Sequence, residues 1–581
     1  MLTNSEILKL ASETLGISFN GVELADAQNV NLKIENGRVI AGGKTIPQKL
    51  RALTLYALNK DKENLCIEQT PSFKNLGLMA DMSRGGVMRP EKVKEFITKI
   101  ALMGANQFML YTEDIYTLED YPHFGYMRGA YTDDELTEID DFADSLQVEV
   151  IPCIQTLGHM AQYLSWSDEV RDIKDTDLVL LCKSEETYKF IEAEIVKMKK
   201  VFRSKNIHIG MDEAWDMGLG QYVRRYGFTD RYVILKEHLA RVVEICQKHG
   251  MHPIMWSDMF FRLASVTDEY YDPDVSFPES IKKNVPEADL MYWDYYHTDG
   301  DFYEKMIDRH FELERPVIFA GTSYTTRGFL HLIDLTFRTT EPALRACLKK
   351  GVTDVWATLW GDDGCETNYF DALYGFAMYT EMCYNPDCLR DDIDKMGALM
   401  SGISSKLAQA INTYYIHPYP KTFVWGDIFY NLHCIDFEKD TRYLDIKDAA
   451  QTCSDEYTKL VLDIVYTKAY IYANMQKTYK SGGDMSVYSE KIIPELLTKY
   501  KRLKEIFCKR WLETNKAFGF EVIQMRFNTT IGRTEYAIEV VDNYVKGKSR
   551  SIEELDYEPV YGSGRLNWYN YTVSGRVSNF H

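Results

Sequence analysis

Asn206-Ile207-His208-Ile209-Gly210-Met211-Asp212-Glu213-Ala214-Trp215-Asp216 is the stretch from which the rest of the chain can be read. Ile207, Ile209 and Met211 alternate with His208 and Gly210, the period of a short strand whose successive side chains point opposite ways. The strand ends in two adjacent carboxylates, Asp212 and Glu213, with Trp215 close behind. Alternation loosens where a strand ends, so both acids can face one pocket. Such a pair suits acid–base work on a polar substrate. The competing reading is the first turn of a helix, where acids offset unpaired N–H groups.

On either side of this stretch a strand–helix repeat is visible. An apolar strand at 76–82 stops at Ser83-Arg84-Gly85-Gly86. Pro90 then opens a helix, because its missing N–H costs nothing in the first turn. Val93, Phe96, Ile97 and Ile100 form that helix's buried stripe. A second strand at 107–111 runs into Thr112-Glu113-Asp114. Thr132 with Glu135 predicts a capping box. A third strand at 148–153 is followed by a loop from Gln155 to His159. Further strands are predicted at 206–211, 252–256, 289–293, 316–320 and 354–359, with helices at 185–200, 231–249, 301–311 and 341–350. Eight strands alternating with helices over roughly 285 residues predict an α/β fold of the (β/α)8 TIM-barrel type, with polar residues clustered after each strand on its catalytic face. A doubly wound open sheet would carry a phosphate loop after its first strand, and neither G-x-G-x-x-G nor a P-loop stands there.

The flanks read differently. Residues 1–74 predict a small N-terminal α/β domain with a hairpin at Glu35-Asn36-Gly37, a helix at 49–57 and a strand at 65–67. The barrel is assigned to 75–390. Residues 391–581 predict a mainly helical C-terminal domain. Its first stripe, Met396 to Ala410, reads as one long helix with Pro418 and Pro420 beyond it. Val522-Ile523 and Ala537-Ile538 look strand-like, and the Tyr-rich tail at 560–581 looks loose. This region would cover one side of the barrel or provide the face of a homodimer.

The 581 residues suffice for several domains. A net charge of -20 without a basic block argues against a nucleic-acid partner. No run approaches the length of a membrane span or a secretory leader; Glu6, Lys9 and Glu13 interrupt the start. The 11 scattered cysteines read as reduced thiols, and the expected setting is cytoplasmic.

The strand ends supply Arg84, Glu113 with Asp114, His159, Asp212 with Glu213, Trp256 with Asp258, Trp293 with Asp294, Tyr295 and Tyr296, Tyr324, and Trp360 with Asp362. Tryptophans with acids between them describe a sugar pocket, where rings stack on C–H faces and carboxylates accept hydroxyl protons. Asp362, Asp363 and Glu366, or His208 with Asp212 and Glu213, are the alternative set for a cation. The first could bind a hard cation but is equally a polar loop, and the second lacks H-x-H or H-E-x-x-H spacing, so no metal or other cofactor is expected.

His208-Ile209-Gly210-Met211-Asp212-Glu213-Ala214 resembles the signature of glycoside hydrolase family 20, the β-N-acetylhexosaminidases, in the branch with a helical C-terminal domain. Asp81-Met82-Ser83-Arg84-Gly85-Gly86, Gly158-His159, Tyr292-Trp293-Asp294-Tyr295-Tyr296, Phe319-Ala320-Gly321 and Leu359-Trp360-Gly361-Asp362-Asp363-Gly364 follow in family order. The resemblance implies a retaining, substrate-assisted mechanism. In it Glu213 is the general acid and later base, and Asp212 orients the substrate's acetamido group. Arg84 and Asp362 would hold hydroxyls, His159 would order the pocket, and Trp256, Trp293 and Trp360 would line it. Tyr295, Tyr296 and Tyr324 are the candidates to face the acetamido group. The chain departs from the branch after the seventh strand. Thr322-Ser323-Tyr324-Thr325-Thr326-Arg327 replaces a Trp-x-Trp pair, and Arg327 could accept an anionic substituent or pair with a C-terminal acid. Glu113 and Asp114 are further candidates for specificity. The substrate implied is a small oligosaccharide or glycoconjugate. A glycosidase for a non-acetylated or anionic sugar and a non-catalytic carbohydrate-binding protein remain the alternatives.

Overall fold

The structure, a computed structural model, describes residues 1–558 apart from 268, 283, 363, 417–419 and 432–434. The tail at 560–581, Asp363 and Pro418 therefore lie outside the described residues.

Eight parallel strands close into a barrel: β5 (Asn75–Asp81), β6 (Gln107–Tyr111), β7 (Glu149–Cys153), β8 (Asn206–His208), β9 (His252–Trp256), β10 (Asp289–Trp293), β11 (Val317–Thr322) and β12 (Asp354–Leu359). They lie side by side in chain order. β12 pairs with β5 over six residues, from Asp354 opposite Asn75 to Leu359 opposite Ala80. Gly77 sits where the Trp356 ring crosses β5; a Cβ there would lie 2.3 Å from the ring. A four-stranded sheet precedes the barrel, with strands β1 (Val22–Asp26), β2 (Val30–Glu35), β3 (Arg38–Gly43) and β4 (Leu65–Gln69) in the order β1-β3-β2-β4. Helix Asn4–Leu15 and strand β1 left no clear period in the sequence. Helix Ile46–Asn59 ties this sheet to the barrel through Arg51. Its buried guanidinium donates to both oxygens of Glu381 (2.9 and 3.1 Å), to Gln69 and to the Met103 carbonyl.

The local signals have physical counterparts. Pro90 is the first residue of helix Pro90–Leu102. Thr132 and Glu135 form the reciprocal capping box of helix Asp133–Ser145. Four predictions need correction. β8 stops at His208 rather than running to Met211, because Gly210 and Met211 turn to φ +69° and +74°. The helix expected at 341–350 begins at Ile333. Its first half is hidden in the sequence by Thr336, Thr339 and Pro342; the two threonine hydroxyls donate back to the carbonyls of Leu332 and Leu335. The single helix expected from Met396 to Ala410 is two, Arg390–Ser401 and Ser405–Asn412, because Gly402 takes the left-handed conformation and Ser404 caps the second. Residues 519–547 contain no strand: Phe520–Val545 is one helix. Ile523, Phe527, Thr530, Thr534, Ala537 and Val541 are buried at helical spacing, and that period outweighs the two strand-like runs.

The C-terminal helices rest on the barrel. Helix Ile493–Thr514 and the turn after it hold the loop behind β5, with the Arg89 N–H on the Thr514 carbonyl (2.9 Å) and the Lys516 N–H on the Val87 carbonyl (2.7 Å). Among the described residues no helix is long and apolar enough to cross a membrane.

Candidate active site

Where the chain leaves β8 it is held by backbone geometry that few sequences accept. Gly210 is obligatory, since a Cβ there would lie 2.0 Å from the Gln155 amide oxygen, at φ +69°. Met211 and Glu213 (φ +51°) follow in the same left-handed region, and His159 on the neighbouring loop has φ +55°. Non-glycine residues in this region concentrate at functional sites because packing must hold them there. The result brings Asp212, Glu213 and His159 to one point at the C-terminal end of the barrel, where its active sites are built.

The two acids have different surroundings. The Asp212 side chain is 8% exposed, with one oxygen accepting from Gln155 Nε2 (2.9 Å) and the other 3.1 Å from His159 Nε2. Burial opposes ionisation of Asp212, but His159, Gln155 and Arg84 together hold its pKa below the usual carboxylate value. Burial likewise opposes the charge on His159, and the Asp212 and Glu213 carboxylates overcome it, so the imidazole stays protonated well above its ordinary pKa. The Glu213 side chain is 29% exposed, with an oxygen 3.4 Å from the same His159 nitrogen. The Tyr270 hydroxyl stands beside Glu213, and burial with that carboxylate raises the phenol's pKa. The Glu213 N–H donates to Asp258 (3.0 Å), whose other oxygen accepts from Trp293 Nε1 (3.3 Å). Burial and then the neighbouring Asp212 push the Asp258 pKa up to about 8.

Arg84 closes the opposite wall. Its guanidinium lies 3.3 Å from Asp81, 3.4 Å from Glu113 and 3.7 Å from Asp362, donates to the Tyr111 hydroxyl (3.2 Å), and packs over the Trp360 ring. Aromatic rings join the walls. Trp293 stacks on Tyr295 at 5.2 Å, Tyr295 meets Trp360 at 6.5 Å, and Trp360 meets both Tyr111 and Trp256. Trp256 Nε1, Trp360 Nε1, the Tyr295 hydroxyl and Asp362 Oδ1 are buried here without an aligned hydrogen bond; the Tyr295 hydroxyl lies near Thr358 and Trp360 without lining up with either. Buried polar atoms are ordinarily paired, so their convergence marks a place where a polar ligand supplies partners.

The other candidate residues lie further out. Tyr296 is 55% exposed, and the Arg327 guanidinium sits over its ring (5.6 Å) and over Tyr324 (5.1 Å), making a rim. Asp114 turns away to Arg128 (3.1 Å). Asp294 is engaged by the Tyr292 hydroxyl, the Tyr296 N–H and His297. His208 is buried packing, its Nδ1 accepting from the Gly210 N–H, and burial lowers its pKa to about 3. Glu366 faces Lys421 and Arg526 rather than the Asp362 carboxylate. Sequence reading passed over Tyr111, Gln155 and Tyr270. Tyr111 and Gln155 close or follow a strand, a signal that was available. Tyr270 lies between helix Asp258–Ala264 and the short helix Glu279–Lys282, in a stretch that carries no period at all.

A barrel with this polar and aromatic cluster at its strand ends has the architecture of a TIM-barrel glycosidase. The family model for the glycosyl hydrolase family 20 catalytic domain matches residues 73–296, and the model for the glycoside hydrolase 20C C-terminal domain matches 412–567, together about two thirds of the chain. The chain belongs to glycoside hydrolase family 20. It is 25% identical to hexosaminidase D of Homo sapiens over 231 residues (39% of this chain, 45% of that protein). It is 27% identical to the beta-hexosaminidase of Vibrio furnissii over 259 residues (36% of this chain, 41% of that protein). It thus spans about half the length of these relatives. The solved family 20 exo-β-N-acetylglucosaminidase of Vibrio harveyi, in complex with N-acetylglucosamine, aligns over 71% of this chain and 73% of its own with a TM-score of 0.51 and 16% identity. The β-N-acetylhexosaminidase of Streptomyces coelicolor A3(2) aligns over 69% of this chain and 90% of its own, with a TM-score of 0.50 and 15% identity. At such identities the likeness is one of fold.

Proposed function

We propose that the chain is an exo-acting, retaining β-N-acetylhexosaminidase that releases terminal non-reducing β-linked GlcNAc or GalNAc. The observation that carries this reading is the unequal treatment of the two adjacent acids: Asp212 is enclosed and held ionised, Glu213 reaches the open side of the pocket. Asp212 then accepts the acetamido N–H and turns the acetamido oxygen toward C1. Glu213 protonates the leaving oxygen, the acetamido group closes to an oxazolinium, and Glu213 deprotonates the water that opens it. This departs from the scheme in which a side-chain carboxylate is the nucleophile. His159 and Gln155 fix the Asp212 carboxylate, Tyr270 and the Asp258–backbone bond fix Glu213, and Arg84 with Asp362 offers partners to ring hydroxyls. The free cysteines among the described residues fit a cytoplasmic setting, where imported short glycans are the substrates.

The test is hydrolysis of chromogenic β-GlcNAc, β-GalNAc, β-glucoside and β-galactoside, with binding of a cyclic thiazoline that mimics the oxazolinium. Acetamido sugars should be cleaved, and the thiazoline should bind the wild type far more tightly than Asp212→Asn, because a late-reaction mimic gains most from a late contact. Cleavage of only the non-acetylated sugars, or equal thiazoline binding, would sink the proposal. Arg327 over the rim tyrosines favours a second reading, an anionic substituent on the sugar or aglycone. A sulfated substrate preferred by wild type and lost as a preference in Arg327→Met supports it. Sugar binding without turnover across a broad glycan panel would instead indicate a binding protein.

A further inference from the structure

Away from the barrel, helices Glu456–Lys480, Ile493–Thr514 and Phe520–Val545 and the segment 426–430 surround a cavity of about 360 Å³. That lies within the usual span of small-molecule pockets, about 300–1,000 Å³. Asp427, Lys468, Tyr500, Thr530, Arg533 and Thr534 are among its lining residues. Lys468 is 1% exposed. Its ammonium donates to the Gly426 carbonyl, and the Tyr472 ring centre lies 6.0 Å away. Among the described residues no second acceptor meets it, so two of its three N–H groups go unused. Asp427 does not complete it. One carboxylate oxygen accepts from the Phe429 N–H (2.8 Å) and the other from Arg533 Nε (2.6 Å). Arg533 thus takes Asp427, with Glu554 acting on it from outside the cavity, and the lining itself holds two cations against one carboxylate. A buried ammonium short of acceptors is unfavourable unless something supplies them.

We propose that this cavity is a second ligand site, separate from the barrel pocket, which takes a small organic monocarboxylate of about sugar size. The carboxylate accepts from Lys468, and hydroxyls of the ligand meet Thr530 and Thr534. The charge count selects a monoanion, because a dianion such as sulfate would leave one negative charge buried. Titration supplies a signature. Burial lowers the Lys468 pKa to about 7, against a partial restoring effect of Asp427. Facing Lys468 are Asp427 from the 426–430 segment, Tyr472 on its own helix, Tyr500 on the second helix and Arg533 on the third. Burial keeps both phenols neutral, so Lys468 is the group that titrates near neutrality. A bound carboxylate favours the ammonium, so affinity falls as pH rises above about 7.

The experiment is calorimetric titration of the full chain with gluconate, beside sorbitol as its neutral analogue and sulfate as a dianion, at about pH 6 and about pH 9. Gluconate should bind at the lower pH and weaken by about tenfold or more at the higher, and sorbitol should not bind. Lys468→Met should abolish gluconate binding and leave chromogenic hydrolysis unchanged. Thr529→Trp, an exposed position on the cavity wall, should block binding without touching the core, and answers the question should Lys468→Met not fold. Equal binding of gluconate and sorbitol, gluconate binding that survives both variants, sulfate binding in place of gluconate, or displacement of gluconate by N-acetylglucosamine would each overturn the proposal.

Discussion

Two clusters of buried charge stand on either side of the loop that follows β12, and they are built on opposite plans. In the first, one carboxylate, Glu366, is saturated. Its oxygens accept from Arg526 Nη1 (2.8 Å) and Trp425 Nε1 (2.9 Å) and lie 3.4 Å from Lys421 Nζ, with side chains 1–2% exposed. Burial alone would raise the Glu366 pKa, but Lys421 and Arg526 lower it below the ordinary value. In the second, Asp81, Glu113 and Asp362 share Arg84, Asp212 and Glu213 share His159, and Asp258 adds a further carboxyl beside Asp212 and Glu213. Aromatic donors there lack aligned partners. The first cluster joins the C-terminal helices to the barrel, and Lys421 also donates to the Asp362 carbonyl, next to the pocket. The second holds acids in excess, one of them pushed toward neutrality. A saturated cluster resists change; an over-supplied one is poised for a ligand.

Four measurements would break or sharpen that contrast. In the proposed mechanism Glu213→Gln removes proton donor and base together, and kcat should fall by about 10²–10⁴. The loss should shrink on a substrate with a very acidic leaving group, while Asp212→Asn stays defective on it, since orientation of the internal nucleophile is what it lacks. If Glu213→Gln keeps full activity, the open cluster is not the catalytic one. Second, Glu366→Gln leaves two buried cations under-compensated, which typically costs about 3–5 kcal/mol. Urea denaturation should register that loss in the closed cluster, whereas Glu213→Gln should change stability by less than about 1 kcal/mol. Similar losses in both would erase the distinction.

The third concerns pH. Asp258 is raised from the ordinary aspartate value of 3.8, so the folded chain holds a proton there that the unfolded chain releases. Its contribution to stability is fully present below about pH 4 and is lost as pH rises through about 8. Tm should therefore decline over that window, and Asp258→Asn should flatten the decline. An unaltered slope in the variant would show that Asp258 is not the proton holder. The smallest effect belongs to Tyr270→Phe, which deletes the hydroxyl beside Glu213 and with it a hydrogen bond in the reacting complex. At a net value of about 1 kcal/mol for such a bond, kcat/KM should drop roughly fivefold, with KM little changed. A change in KM alone would make Tyr270 a binding residue instead.

Period and punctuation carried much of the architecture. Pro90, the Thr132–Glu135 box and the apolar runs of β5 to β12 are local features, and a barrel is a repetition of one local unit. Reading failed where local preference and tertiary packing disagreed. Val522-Ile523 and Ala537-Ile538 favour strands in isolation, yet burial of one face every third or fourth residue makes Phe520–Val545 a helix. Pro342 and the threonines before it disguise the first half of helix Ile333–Lys350.

By itself the sequence determined the strand–helix alternation, the adjacency of Asp212 and Glu213, and the tryptophans that follow the strands, because these are matters of order along the chain. Tertiary structure decided which acid is enclosed and which is open. That depends on Gln155 and His159 reaching Asp212 from the β7 loop, on Tyr270 reaching Glu213 from an irregular segment, and on Gly210 and Met211 adopting positive φ where β8 ends. It also decided that Glu366, Lys421 and Arg526, separated by up to 160 residues, share one buried cluster. A carboxylate's charge state is set by the groups within a few ångströms of it, and in this chain those groups come from distant strands and loops.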